Sequence, residues 1–196
     1  MQHCCNIFSY ICSHKIITMK ILSIFFFACL FMVSCSKDDP DDVNEEELIT
    51  TISYELNDIN SSESIQLLFK DDDGDGGEDP IITAGLLKSN TTYSGELSLS
   101  NASEGITSEI SEEAEDHQFF FQSTLADLMV SYSDMDSNGR PIGLRTQLTT
   151  GEAGIGQLTI TLRHEPNKSA SGVEEGDISQ AGGSTDIEVT FDVIVE

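Results

Sequence analysis

Two kinds of side chain in this sequence have the chemistry to hold a metal ion, and they lie far apart along the chain. His117 stands in Glu115-Asp116-His117-Gln118 and His164 in Arg163-His164-Glu165-Pro166, each beside a carboxylate. Neutral imidazole with carboxylate is a ligand set that zinc and its transition-metal neighbours accept. His117, His164 and Glu165 therefore form one candidate transition-metal site, with Glu115 and Asp116 completing an acidic pocket. The alternative is two unrelated surface histidines. The shared site requires both imidazoles on one rim of the fold, because ligands about 2 Å from one ion cannot lie more than roughly 10 Å apart.

The second group is Asp71-Asp72-Asp73-Gly74-Asp75-Gly76, which opens like a calcium loop. Carboxylates stand at relative positions 1, 3 and 5 (Asp71, Asp73, Asp75), glycine stands at 6 for the sharp turn, and Asp79 falls at position 9. Position 12, where a bidentate Glu closes the cage, is Ile82. A weaker copy, Asp134-Met135-Asp136-Ser137-Asn138-Gly139, has Arg145 at position 12. Tight turns between strands are the favoured explanation of both runs, since Asn-Gly is itself a hairpin signal. Calcium and hairpin both remain open for the first run.

Catalytic constellations are not evident. There is no Gly-x-Ser-x-Gly elbow and no phosphate-cradling glycine loop between strand and helix. Paired carboxylates discriminate nothing in a chain with 35 Asp and Glu against 9 Lys and Arg. A non-enzymatic protein with no obligatory cofactor is expected, calcium or zinc being the ions to consider. The formal net charge of -26 also excludes a nucleic-acid binder that relies on a basic surface.

These residues need elements to position them, and period-two alternation supplies most of those elements. Ile52, Tyr54 and Leu56 alternate with polar neighbours, as do Ile65, Leu67 and Phe69, then Tyr93, Leu97 and Leu99, then Leu128, Val130 and Tyr132. Leu158, Ile160 and Leu162 follow, and the odd-numbered residues from Ile187 to Val195 form the clearest half-buried strand. Phe119 to Phe121 and Arg145 to Thr150 add two weaker candidates. The expected fold is all-β, an antiparallel β-sandwich of immunoglobulin-like or similar Greek-key type with about eight strands. Ile106, Ile110 and Ala114 recur every four residues and predict one short helix, capped near Ser103 or Thr107. The glycine-rich stretch 169–184 has few apolar anchors and is expected to be a long mobile loop.

The first forty residues read as an address. Ile21 to Val33 is a thirteen-residue apolar run, too short to span a bilayer as a helix and of the length of a signal-peptide core, with Met19 and Lys20 directly before it. Residues 1–18 are then an over-extended start, 19–34 a signal peptide, 35–47 an acidic tether and 48–196 the sandwich domain. All five cysteines lie within the first 35 residues, so the domain carries no internal disulfide. Met32-Val33-Ser34-Cys35 resembles the lipobox of bacterial lipoproteins, with Met32 where Leu is usual. The resemblance implies that Cys35 carries acyl chains, and several chains anchor a protein stably. Ser36-Lys37-Asp38-Asp39 is similar to the export signal that sends Bacteroidota lipoproteins to the cell surface.

Taken together, Glu45 to Thr51, the Asp71 loop, Glu115 to Phe120 and Leu162 to Lys168 resemble segments of small Bacteroidota envelope lipoproteins labelled "type 1 periplasmic binding fold superfamily". That label denotes a two-lobed α/β fold, whereas the strand period here predicts a sandwich. The resemblance implies an outer-membrane lipoprotein, surface-exposed and held by acyl chains on Cys35. Its implied role is a non-enzymatic binding or interaction module, accessory to an outer-membrane TonB-dependent receptor. A metal-capturing lipoprotein using His117 and His164 is the alternative.

Overall fold

The computed structural model describes residues 48–74, 77–102 and 104–196. The start at 1–18, the signal peptide, Cys35, the tether, Asp75 and the suggested cap Ser103 lie outside the described residues.

The strands are β1 (Thr51–Asp58), β2 (Ser64–Lys70), β3 (Ile81–Ile82), β4 (Gly85–Leu87), β5 (Thr92–Ser100) and β6 (His117–Ser123). They continue with β7 (Met129–Tyr132), β8 (Arg145–Thr149), β9 (Gly154–His164) and β10 (Ser184–Val195). Helix α1 (Thr107–Glu112) precedes β6. One sheet has the order β3-β2-β1-β5-β8-β7 and the other β4-β10-β9-β6. The antiparallel pairings of β1 with β2, β2 with β3 and β1 with β5 place β5 back beside the first strand, a Greek-key arrangement. The all-β sandwich is as expected, with each of the eight foreseen strands present. Two short strands are additional. β4 runs parallel to β10 and places Leu87 in the core, a pairing that three residues without alternation do not announce.

The alternation works by sending every second side chain inward. Ile52, Tyr54, Leu56, Leu97 and Leu148 of the larger sheet meet Phe119, Leu158, Ile160, Leu162 and Phe191 of the smaller one. Burying each such side chain contributes about 1.5–3 kcal/mol. Tyr54 brings a hydroxyl into this core and pairs it with Thr146 Oγ1 at 2.6 Å. Gly95 leaves room for that pair, since a Cβ there would lie 2.5 Å from both oxygens.

Two local expectations are corrected. Helix α1 is present with Ile110 fully buried, but its N-cap is Ile106, which makes no side-chain cap bond. The Thr107 hydroxyl is instead engaged with β5, accepting from the Leu99 N–H and donating to the Leu99 carbonyl. The connection between β9 and β10 is packed rather than loose. Val173 and Ala181 are fully buried against Phe120 on the outer face of β6, and Gln118 Nε2 donates to the Val173 carbonyl at 2.8 Å. Two apolar anchors suffice because Phe120 supplies the surface they cover. Lys168 adds a polar pin, its ammonium donating to Ala114 O at 2.5 Å, Pro141 O at 3.0 Å and Asp136 Oδ2 at 3.1 Å.

Candidate metal centre

His117 is the first residue of β6 and His164 the last of β9, and the antiparallel register sets them directly opposite each other. Both lie on the core-facing side, sharing the parity of Phe119 and Leu162. The neighbouring strand contributes a third group through an irregularity. Ser184 pairs with His164, Thr185 with Arg163 and Ile187 with Leu162, so Asp186 is an extra residue in a β-bulge. A bulge re-aims a side chain that regular pleating would send to the opposite face. Here it turns the Asp186 carboxylate toward the two imidazoles.

The imidazole centroids lie 4.8 Å apart, edge to face. His117 Nε2 is 3.7 Å from Asp186 Oδ2, and His164 Nδ1 is 4.0 Å from Asp186 Oδ1. The His117 and Asp186 side chains are fully buried, and that of His164 is 18% exposed. His117 Nδ1 lies 3.1 Å from the Glu113 carbonyl, which can only accept. Nδ1 therefore carries the proton, and in the neutral ring Nε2 presents its lone pair to Asp186. A ligating histidine characteristically has its other nitrogen fixed by such a carbonyl.

Neither His117 Nε2 nor His164 Nδ1 has a hydrogen-bond partner. Their separations from Asp186 exceed the hydrogen-bond range of about 2.7–3.2 Å. They lie closer to the edge of roughly 3.3 Å between tetrahedral ligands each about 2.0–2.1 Å from a zinc. One donor from each residue falls within a span of 4.8 Å. Two bonds of about 2.1 Å reach at most about 4.2 Å in line and roughly 3.3 Å along a tetrahedral edge, so the widest-spaced donors close by about 0.6 to 1.5 Å around an ion. This is the one group of three His, Cys, Asp or Glu side chains with metal-holding geometry among the described residues. No family model matches this sequence, and no curated protein or solved structure matches it.

The structure thus joins His117 to His164 as the sequence suggested, and corrects the third member. Glu165 is exposed and takes no part. It follows His164 directly, so strand geometry sends it to the other face, and its backbone then turns left-handed (φ 49°) with its N–H donated to Asp116 O. Glu115 and Asp116 are exposed as well, and Glu115 accepts from the Ser137 hydroxyl. Asp186 was missed because its position has the parity of the outward-facing residues of β10. Only the bulge reverses it.

The aspartate runs are occupied by turn chemistry. Asp71 Oδ1 accepts from the Gly74 N–H and Asp73 Oδ2 from the Glu78 N–H, both at 2.9 Å, while Asp72 pairs with Lys70 at 2.7 Å. Asp71, Asp73 and Asp79 form no three-carboxylate group among the described residues. In the second run, Asp134 accepts from the Gly143 and Arg145 N–H groups, and Asp136 from those of Asn138 and Arg140. Burial would raise the Asp136 pKa, but those amides and the Lys168 ammonium outweigh it and hold the carboxyl below its ordinary value. A groove of about 900 Å³ runs along α1, lined by Glu112, Asp116, Met135 and Arg145 among others, and includes none of the three metal-site residues.

Proposed function

We propose that this protein is a lipid-anchored envelope protein whose sandwich captures one divalent transition-metal ion, zinc foremost, at His117, His164 and Asp186. The observation that carries the reading is the convergence of three Lewis-basic side chains in a buried space, at separations too long for hydrogen bonding and close to those of shared coordination. The Glu113 carbonyl supports it by holding His117 in the ligating tautomer. An ion there would add positive charge next to a buried carboxylate, in a chain of net charge -26. The address supports an envelope setting, through the apolar run 21–33, the lipobox-like Met32 to Cys35 and the acidic tether behind it.

The test is elemental analysis of the purified full chain after equilibration with zinc and removal of excess. One zinc per chain is expected, falling below a tenth in His117→Ala, His164→Ala and Asp186→Ala. Zinc retained by all three variants contradicts the site. For the anchor, Cys35→Ala accumulates as uncleaved precursor, and normal processing of that variant contradicts lipidation.

A partner-binding surface is the second reading, favoured by a row of exposed apolar side chains across the outer face of the smaller sheet. Leu86, Ile194 and Ile155 are register neighbours on β4, β10 and β9. The partner implied by the resemblance is an outer-membrane receptor. Ile155→Asp then breaks receptor association and leaves zinc content unchanged.

A further inference from the structure

The metal site and the long connection 165–183 share their endpoints. His164 is the residue immediately before this segment, and Asp186 lies at the bulge just after it. Gly183 closes the base by close approach. Its φ is 69°, and a Cβ there would lie 2.1 Å from the His164 carbonyl oxygen. The body of the segment is fastened elsewhere: Val173 and Ala181 pack on Phe120, and Lys168 pins it to the turns at Ala114 and Pro141. The donor atoms of His117 and His164 are themselves buried, so an ion reaches them only when something opens. Two of the three candidate ligands flank the base of the segment, and the donors must draw together to share an ion.

We propose that segment 165–183 is a metal-coupled strap. It opens to admit the ion, and the ion cinches its base by bridging His164 to Asp186 and to His117 on β6. The inference rests on the metal reading above and adds regulation of that site. Coupling is reciprocal, so whatever loosens the strap weakens the metal, and the metal tightens the strap. Val173 is then a positioning residue. It touches no ligand, yet its packing on Phe120 biases the strap toward the closed state.

The experiment follows amide hydrogen exchange of the full chain by mass spectrometry while zinc is titrated, with zinc affinity measured alongside. Exchange across 166–183 is expected to slow in step with occupancy, while amides in β1 stay unchanged. Val173→Ala should weaken zinc at least about fivefold, the lower end of ordinary coupling. Zinc that binds through His117 without protecting the strap, and with wild-type affinity in Val173→Ala, overturns the strap and leaves the metal site standing. Failure of zinc to bind the wild-type chain removes the metal reading and the strap with it. If Val173→Ala does not fold, wild-type exchange alone decides between the first two outcomes.

Discussion

Two buried polar clusters stand on either side of the turn from Glu113 to His117, and they differ in completeness. Around Lys168 the ammonium meets three oxygens within 3.1 Å, and Asp136 spends its carboxylate on Lys168 and two backbone N–H groups. Around Asp186 the nearest imidazole nitrogens stop at 3.7 and 4.0 Å, and neither nitrogen has a hydrogen-bond partner. The first cluster is satisfied by the chain itself. In the second, two buried imidazole nitrogens stand without a hydrogen bond beside the carboxylate. Buried polar groups in native proteins are nearly always bonded, so an exception points to a ligand or a strain that function uses.

Breaking the satisfied cluster should have the largest effect. Lys168→Ala leaves the Asp136 charge and two carbonyls buried without their cation, and a cost of about 3–5 kcal/mol in denaturant unfolding is expected. A loss under about 1 kcal/mol would mean that the turns at Ala114 and Pro141 do not depend on the pin. For the incomplete cluster, added zinc is the informative perturbation. Zinc at a hundredfold excess over Kd should stabilise the fold by about 2.7 kcal/mol, read as a raised Tm. His117→Ala and Asp186→Ala should abolish that increment, whereas Lys168→Ala should reduce it through the strap.

Acid sharpens the comparison further. The folded Asp136 pKa is depressed below 3.8, so its contribution is fully present above that value and is lost as pH falls through the folded pKa. Asp136→Asn should flatten the fall in stability below about pH 4, as followed by urea unfolding at stepped pH. The smallest effect is expected at the exposed aspartate loop. Asp73→Ala removes one turn bond to Glu78 and should cost no more than about 0.5 kcal/mol, and calcium should leave the wild-type melting curve where it is. A calcium-dependent rise in Tm lost in Asp73→Ala would instead establish an ion in that loop.

The layers of this fold are legible because period-two alternation reports burial directly, as the residues from Ile187 to Val195 illustrate. Strands β3 and β4 escaped, since two or three residues are too few to show a period and β4 is recruited by β10 rather than by its own pattern. The histidine pair could be read because each histidine ends an expected strand, which leaves only the question whether those strands are neighbours. The third candidate ligand could not be read, because alternation assigns Asp186 to the outer face and the bulge that overturns the assignment arises from the register of β10 against β9. The packed strap was hidden for a similar reason. Val173 and Ala181 look like isolated small residues until β6 presents Phe120 on its far face.

The most direct measurement is the anomalous scattering of a zinc-loaded crystal at the zinc absorption edge. A single strong peak about 2 Å from His117 Nε2, His164 Nδ1 and an Asp186 carboxylate oxygen is the expected result. No peak between those three side chains, with zinc found elsewhere on the chain or nowhere, would contradict the account.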